Sequence, residues 1–320
     1  MDIDKIKKIS IIGAGLMGHG IAQIFAAQKY PVTILDVQQG LLFKAVENIR
    51  SNLTLMAQNG IGCQEEIEPI LQRIKTTLNL EEAASEAQLV IEAVSENLEL
   101  KQKIFRELDR FASSDAILAT NTSVISITEI GQNARFKGRI LGTHFWNPPY
   151  LIPLVEVIKG EETSPQVMDA TFELLKRVGK HPVRVNKDVP GFVGNRLQHA
   201  LWREAISIVE RGIADPETVD EVIKNGFGIR LAVLGPLENA DMVGLDLTLA
   251  IHNYILKYLE SSPDPSPLLK RKVEGEELGF KKGRGFYSWT SDKAEETRKN
   301  LLEYLLKWMK EEIAKSRKER

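Results

Sequence analysis

A short apolar run near the start of the chain leads directly into a glycine-rich turn. Ile9–Ile12 is followed by Gly13, Gly15 and Gly18 in the spacing G-x-G-x-x-G, and then by a helical pattern rich in small residues. A second apolar run ends at Asp36. A glycine turn between a strand and a helix, with an acid about 20 residues further on, indicates a dinucleotide-binding βαβ unit. The alternative is a structural glycine turn in another α/β protein.

Each glycine of this turn has a physical role in such a unit. Gly13 permits the tight turn, Gly15 lets the backbone approach a pyrophosphate, and Gly18 allows the helix to pack closely on the strand. The first helical turn, with Leu16 and Met17, offers free backbone N–H groups and the positive end of the helix dipole. We therefore expect residues 13–18 to bind the phosphates.

The acid that ends the second apolar run bears on the choice of cofactor. The Asp36 carboxylate can accept hydrogen bonds from the hydroxyl groups of an adenosine ribose, and it repels a 2′-phosphate. The sequence therefore predicts NAD, rather than NADP, as the cofactor.

Composition and charge narrow the class of protein. The 320 residues are enough for two domains, and 42 basic against 44 acidic residues give no electrostatic reason to expect nucleic acid. Cys63 is the only cysteine, which excludes an intramolecular disulfide and favours a reducing compartment. No apolar run resembles a signal-peptide core or is long enough to cross a bilayer. We expect a cytoplasmic protein with no membrane segment and no metal site.

Apolar runs alternate with helical patterns through the first half of the chain. This alternation predicts a Rossmann-type α/β fold with a doubly wound, largely parallel sheet. Residues 40–80 interrupt it and are interpreted as an inserted helical hairpin joined near 59–62. We predict an NAD-binding domain over 1–188, an all-helical substrate and dimerisation domain over 189–289, and a charged helical tail over 290–320. The helical domain predicts a homodimer, because such domains bury apolar faces against a partner.

One face of the predicted tail helix is apolar, and it comprises Leu301, Leu305, Trp308 and Met309, with Leu302 and Leu306 beside them. We expect this face to dock on the body of the protein or on a partner subunit. Binding to a membrane surface is the alternative, which the mixed Glu and Lys residues of the polar face disfavour.

Hydride transfer from an alcohol to a nicotinamide needs a base for the hydroxyl proton. Among the five histidines, His144 lies at the end of a predicted strand, within T-H-F-W-N-P-P. An isolated histidine is usually structural, but open α/β sheets bind ligands at the carboxyl ends of their strands. This position makes His144 the candidate base.

Three polar side chains are candidate partners of His144. Glu156 lies on the next predicted strand, where a buried carboxylate needs a partner; the alternative is an edge-strand glutamate that faces water. Ser123 follows another strand and either hydrogen-bonds the reacting oxygen or caps the next helix. Asn195 begins the first helix beyond the domain junction and makes either an interdomain hydrogen bond or a substrate contact.

Several sequence blocks resemble the L-3-hydroxyacyl-CoA dehydrogenase family, which includes the 3-hydroxybutyryl-CoA dehydrogenases. The resemblance covers roughly residues 5–289. Besides the glycine fingerprint it rests on N-T-S at 121–123, H-F-W-N-P at 144–148, L-V-E-V-I at 154–158, P-G-F-V-G-N-R at 190–196, G-P-L-E at 235–238 and G-R-G-F-Y at 283–287. Several such blocks in the right order make the resemblance specific.

The resemblance implies a role for individual residues. It makes His144 the base and Glu156 its partner, and it lets Ser123 and Asn195 contact the reacting oxygen of the substrate. The residues that it implies near the cofactor are Glu96, Lys101 and Asn121. The implied reaction is the reversible NAD-dependent oxidation of a short-chain L-3-hydroxyacyl-CoA to the 3-ketoacyl-CoA, in fatty acid metabolism.

Two segments depart from the acyl-CoA members of the family. Those members usually carry lysines, suited to the CoA phosphates, at the turn of the inserted hairpin, whereas residues 56–66 here hold no basic residue and two acids. The block 228–234 is similar to that of lambda-crystallin-like L-gulonate dehydrogenases. Within it, Arg230 either clamps a free carboxylate of the substrate or forms an interhelical ion pair.

The sequence therefore leaves three functions open. The first is a dehydrogenase of short-chain 3-hydroxyacyl-CoA, and the second is a dehydrogenase of a free 3-hydroxy acid, as in the gulonate or carnitine dehydrogenases. The third is a non-catalytic role of the crystallin kind, which the intact set of Ser123, His144, Glu156 and Asn195 disfavours.

Overall fold

A computed structural model describes residues 2–318 of the chain. Contacts divide it into two compact units, the first formed by Met1–Arg196 with Leu301–Arg320 and the second by Leu197–Asn300. Each unit is described by itself.

The first unit is built on one eight-stranded sheet. The strands are β1 Ile9–Ile12, β2 Val32–Leu35, β3 Ile74–Thr77, β4 Leu89–Glu92, β5 Ile117–Thr120, β6 Ile140–Phe145, β7 Leu154–Ile158 and β8 His181–Val185. Their order across the sheet is β3-β2-β1-β4-β5-β6-β7-β8. The first six run parallel, β7 is antiparallel to β6, and β8 is parallel to β7. The predicted doubly wound, largely parallel sheet is confirmed.

Helices cover both faces of this sheet. They are α1 Leu16–Ala27, α2 Gln39–Gln58, α3 Ile67–Leu71, α4 Leu80–Ser85, α5 Leu98–Phe111, α6 Ile127–Ile130 and α7 Pro165–Arg177. One core layer packs under α1, α2 and α7, and another under α4, α5 and α6. The central strands β1 and β4 are buried along their whole length, which explains why they appear in the sequence as continuous apolar runs.

The region 40–80 contains a strand that the sequence analysis missed. The first helix of the expected hairpin, α2, is long, but the second, α3, has five residues. The chain then forms β3, which pairs only with β2 at the edge of the sheet. Because β3 is short, mostly polar and only partly buried, it lacks the apolar run by which a central strand is recognised.

The second unit is helical, as predicted. It contains most of α8 Gly194–Glu210, followed by α9 Pro216–Asn225, α10 Gly228–Leu231, α11 Pro236–Val243, α12 Leu245–Ile255 and α13 Pro267–Glu274. The helices α11 and α12 are separated by a single residue, Gly244. This residue has φ of 104°, in the left-handed region that glycine adopts without steric cost.

The last helix is α14 Ser291–Lys318. Its residues from Leu301 onward belong to the first unit, and they pack there through Leu302, Leu305, Leu306 and Met309. The predicted apolar face is therefore rotated slightly, because Leu301 is 59% exposed and lies outside it. Within residues 2–318, no helix is both long enough and apolar enough to cross a membrane.

We expect Phe105→Ala to lower the free energy of unfolding by about 3–5 kcal/mol, because it leaves a cavity that a packed core cannot refill. Phe105 is fully buried in α5, whereas Phe43 of α2 is 68% exposed. The matched variant Phe43→Ala should change the free energy of unfolding by less than about 0.5 kcal/mol. Urea unfolding followed by circular dichroism measures both, and equal losses would contradict the packing described.

Candidate active site

The glycine turn between β1 and α1 leaves its backbone uncovered on one side. Gly13 has φ of 109°, and a Cβ atom there would lie 2.7 Å from the carbonyl oxygen of Ala93. A Cβ atom at Gly18 would overlap the carbonyl oxygen of Gly13. At Gly15, by contrast, nothing lies within 4 Å of the position that a Cβ would take. Gly13 and Gly18 thus shape the turn, and Gly15 presents open backbone.

The N-terminus of α1 has no side-chain cap, because its N-cap residue is Gly15. The first N–H groups of the helix, at Leu16 and Met17, therefore lack an intrahelical partner and are available to phosphate oxygens. At the end of β2, Asp36 accepts hydrogen bonds from the backbone N–H of Ala14 and of Val37, both at 2.7 Å. The turn, the helix end and this carboxylate together fit the diphosphate and ribose of NAD.

A buried ionic network lies at the ends of β4 and β5. Lys101 Nζ donates to Glu92 Oε1 at 2.7 Å and is 3.3 Å from Glu96 Oε2, and both Lys101 and Glu92 are fully buried. The second oxygen of Glu92 accepts from the hydroxyl of Thr120 at 2.7 Å. The network therefore satisfies a charge pair that would otherwise be costly to bury.

Glu96 connects this network to the loop that carries Ser123. Its Oε1 accepts from the hydroxyl of Thr122 at 2.6 Å and from the backbone N–H groups of Ser123 and Val124 at 2.8 and 3.2 Å. Burial acts to raise the pKa of Glu96, but these hydrogen bonds and the charge of Lys101 outweigh it and hold the pKa below its ordinary value. Glu96 is thus an ionised anchor for the Ser123 loop.

His144 and Glu156 are directly opposite each other on the antiparallel strands β6 and β7. His144 Nδ1 lies 2.8 Å from Glu156 Oε2, and both side chains are buried. An ionised Glu156 requires that Nδ1 carry a proton, and in the neutral imidazole the free lone pair is then on Nε2. Glu156 is therefore not the water-facing edge residue that the sequence left as an alternative.

The second carboxylate oxygen of Glu156 binds backbone N–H groups at the start of α8. Its Oε1 accepts from the backbone N–H groups of Val193 and Gly194 at 3.0 and 2.9 Å. These groups point at Glu156 because Gly191 and Phe192 adopt φ of 76° and 49°, and the second value is unusual for a bulky residue. Burial acts to raise the pKa of Glu156, but the hydrogen bond to His144 and the two N–H groups lower it overall.

Asn195 and Ser123 meet beside this pair. The Asn195 amide donates from Nδ2 to the carbonyl oxygen of Ser123 at 2.9 Å. The helix α6 is capped by Ser126, whose hydroxyl accepts from the backbone N–H of Glu129, so Ser123 is not the cap. Among the described residues, the Ser123 hydroxyl has no hydrogen-bond partner. It is therefore available to a ligand.

Asn121 has a structural contact that the resemblance did not indicate. Its Oδ1 accepts from the backbone N–H of Phe145 at 2.9 Å, which ties the end of β5 to the residue after His144. The amide nitrogen of Asn121 is not used in this contact. Asn121 can therefore hold the end of β6 and still present a donor to the cofactor.

Two residues, Trp146 and Lys180, lie in or contact the chain between His144 and Glu156 but have no role assigned from the sequence. The Trp146 ring lies 5.3 Å from the His144 ring, between centroids, and packs where Gly194 has no side chain. Lys180 Nζ donates to the carbonyl oxygens of Pro149 and, at 2.9 Å, of Ile152, both between β6 and β7. Burial lowers the pKa of Lys180 to about 8. Neither position has a sequence signal, because aromatic and lysine residues next to turns are common.

Arg230 lies in α10 of the second unit, where its side chain is exposed. Within residues 2–318 its guanidinium forms no ion pair, so the interhelical ion pair left open by the sequence is not present. Cys63 is a free, exposed thiol. The part of the chain that the structure describes contains no group of three or more metal-ligating side chains.

Two family models match the chain. The model described as 3-hydroxyacyl-CoA dehydrogenase, NAD binding domain, matches residues 8–189. The model described as 3-hydroxyacyl-CoA dehydrogenase, C-terminal domain, matches residues 191–289.

The chain belongs to the 3-hydroxyacyl-CoA dehydrogenase family.

Relatives in this family differ in the substrates that they are named for. The chain is 40% identical to a probable 3-hydroxybutyryl-CoA dehydrogenase of Bacillus subtilis, over 89% of this chain and 98% of that protein. It is 36% identical to the 5-formyl-3-hydroxy-2-methylpyridine 4-carboxylate 5-dehydrogenase of Mesorhizobium japonicum, over 90% of this chain and 92% of that protein. Both the cofactor NAD and the oxidoreductase class predicted from the sequence are confirmed.

Solved structures show the same two kinds of relative. A structure of the pyridine carboxylate dehydrogenase, described as an NAD+-dependent dismutase, has a TM-score of 0.87 at 34% identity and covers 94% of this chain and 96% of its own. The (S)-3-hydroxybutyryl-CoA dehydrogenase of Ralstonia eutropha has a TM-score of 0.76 at 35% identity and covers 90% of this chain and 100% of its own.

We expect Glu156→Gln to destabilise the protein by about 2–3 kcal/mol near neutral pH, because a charged, buried acceptor of three hydrogen bonds is lost. The pKa of Glu156 is lower in the folded chain than its ordinary value of 4.5. The stability due to ionised Glu156 is therefore complete above pH 4.5 and is lost as the pH falls through the folded value. Urea unfolding from pH 7 to pH 3.5 should show the difference between the two proteins shrinking only below pH 4.5. A difference that stays constant in acid would contradict the assignment.

Proposed function

We propose that this protein catalyses the reversible, NAD-dependent oxidation of a short-chain L-3-hydroxyacyl-CoA to the 3-ketoacyl-CoA. The observation that carries the proposal is the buried His144–Glu156 pair, in which Glu156 also binds the backbone of Gly194, next to Asn195, and Asn195 in turn contacts Ser123. The relatives named as 3-hydroxybutyryl-CoA dehydrogenases support the substrate class.

In this reaction His144 Nε2 takes the proton of the substrate hydroxyl, and the Glu156 carboxylate stabilises the imidazolium that forms. The Ser123 hydroxyl and the Asn195 amide hold the substrate oxygen and polarise it as a ketone in the reverse direction. Bound NAD supplies the acceptor for the hydride from C3. The hydroxyl proton thus goes to His144, and the hydride from C3 goes to NAD. Two transfers from one carbon–oxygen group require the fixed geometry described for this site.

A second candidate substrate is a free 3-hydroxy acid. The turn after α2 supports it, because Glu65 and Glu66 are exposed and no basic residue occurs within 56–66 itself; the ammonium group of Lys310, which lies near Gly60, comes from α14. The pyridine carboxylate named for one relative carries no CoA, and the structure of that enzyme is similar over 94% of this chain. In this case we propose Arg230 as the partner of the substrate carboxylate.

A substrate panel distinguishes the two candidates. Oxidation of NADH is measured with acetoacetyl-CoA and with free 3-keto acids, including an aromatic keto acid. A kcat/KM for acetoacetyl-CoA at least tenfold above that for any free acid supports the first candidate. A tenfold ratio corresponds to about 1.4 kcal/mol of additional transition-state binding. Activity confined to free acids rejects the first candidate and supports the second.

We expect His144→Gln to lower kcat by about 10²–10⁴-fold on the active substrate, because the proton acceptor is lost. Affinity for NADH, measured by fluorescence titration, should stay near that of the unaltered protein. The control is His181→Gln on β8, whose side chain is exposed and which lies two positions along the strand from Val183, the register partner of Glu156. Full turnover by His144→Gln would remove His144 from the proposed role.

We also propose that the protein is a homodimer joined through its second unit. The helix α12 is apolar on most sides, and its exposed residues include Leu245, Leu247, Leu249, Ile251 and Tyr254. A helix that is apolar all round is normally buried, and this one is not buried by residues of its own unit. A second copy of the chain supplies the missing cover.

We expect Leu249→Glu to convert the dimer into monomers, because it places a carboxylate in the centre of the proposed contact. Light scattering after size-exclusion chromatography measures the mass of the particle against 35.9 kDa for one chain. The control Phe43→Glu replaces another exposed apolar residue, in the first unit, and should leave the mass unchanged. A monomeric unaltered protein would end the proposal.

The free thiol of Cys63 and the absence of other cysteines favour a reducing compartment. We therefore propose a cytoplasmic protein. With the first candidate substrate, we further propose a place in fatty acid metabolism.

A further inference from the structure

The second half of α14 buries one face on the first unit. Leu306 is 3% exposed and forms a buried cluster with Ile61 and Leu151. The half-buried side chains packed around this cluster include Leu55, Met56 and Tyr150 from the body and Leu302, Leu305 and Met309 from the helix. The helical residues recur at spacings of three and four, as expected for one buried face. The helix is thus docked on its own chain.

The residues under this helix come from two segments. Ile61 lies in the turn that follows α2, and Leu151 lies in the segment 146–153 that joins β6 to β7. The same segment connects His144 at one end to Glu156 at the other. The helix therefore contacts the stretch of chain that links His144 to Glu156.

The segment 146–153 is held on its other sides as well. Pro149 packs on α1 at Gly20, where a Cβ atom would lie 2.5 Å from Pro149 Cγ. The ammonium group of Lys180 binds the carbonyl oxygens of Pro149 and Ile152. Leu306 covers the remaining apolar side at Leu151. Removal of the helix leaves this segment without cover on that side.

The same helix also contacts the turn after α2. Lys310 Nζ lies 3.3 Å from the position that a Cβ would take at Gly60. Within α2, before this turn, Asn52 Nδ2 donates to Gln23 Oε1 at 3.1 Å, which links α2 to α1. The docked part of α14 therefore joins the end of α2 to the segment 146–153.

We propose that residues 301–318 of α14 form a positioning element for the active site, holding the segment 146–153 so that His144 and Glu156 keep the geometry needed for turnover. The inference rests on the proposed roles of His144 and Glu156. The buried cluster under the helix includes neither a residue of the glycine turn nor Asp36. Loss of docking should therefore lower turnover and leave nucleotide affinity nearly unchanged.

The test compares Leu306→Glu with Leu301→Glu in the full-length chain. Both substitutions place a good helix former in α14, but Leu306 is buried and Leu301 is 59% exposed. Three quantities are measured: hydrogen–deuterium exchange of 146–153, affinity for NADH, and kcat with the substrate found active in the panel. The conservative variant Leu306→Met tests whether restored packing restores turnover.

We expect Leu306→Glu to raise exchange in 146–153 and to lower kcat by at least about tenfold, because displacement of a catalytic group by about 1 Å has effects of this size. The affinity for NADH should change by less than about twofold. Leu301→Glu should match the unaltered protein in all three measurements, and Leu306→Met should recover most of the turnover.

Two results would overturn the inference. The first is unchanged exchange in 146–153, which needs no substrate and so decides the matter even if the whole panel is inactive and the proposed function fails. The second is raised exchange with full kcat, which would make the docking structural only. If Leu306→Glu does not fold, Leu306→Ala is measured in its place with the same two criteria.

Discussion

The arrangement of the candidate site depends on one buried carboxylate, that of Glu156. A carboxylate that is 1% exposed is stable only with several donors, and Glu156 takes one from His144 and two from the backbone at 193–194. Those backbone donors exist because the chain turns through left-handed conformations at Gly191 and Phe192. One charge thus fixes the tautomer of His144 and the path of the chain into α8.

The reversal of strand direction after β6 makes this contact possible. In a parallel pair, the residues at matching ends are joined by a long crossover, whereas β6 and β7 are antiparallel and are linked by a short segment. His144 and Glu156 can therefore be neighbours across the strands at 12 positions apart in sequence. The glycine turn belongs to the six parallel strands, whereas the Glu156 carboxylate lies on β7, which follows them in the sheet.

Much of the fold and of the site followed from sequence, for identifiable reasons. The central strands are buried on both faces and so appear as apolar runs, whereas the edge strand β3 has no such signature and was missed. His144 could be identified because it ends a predicted strand, where open α/β sheets bind ligands, and Glu156 because a buried carboxylate on a strand needs a partner. Lys180 and the contacts of Trp146 could not be foreseen, because they depend on segments that meet only in three dimensions. For the tail helix, the spacing of apolar residues predicts an apolar face but does not determine which residues at its edge are buried. Leu301, which the sequence places on that face, is exposed.

The contact between Gly20 and Pro149 has a consequence for how this sequence can change. Gly20 lies in the middle of α1, where alanine is intrinsically favoured by about 1 kcal/mol, yet any side chain there meets the proline ring 2.5 Å away. Tolerance at this position is therefore governed by residue 149, and the two must vary together. A residue that contacts no ligand can in this way tolerate as few substitutions as one that does. In a survey of variants, Gly20 would resemble a catalytic residue unless residue 149 were varied with it.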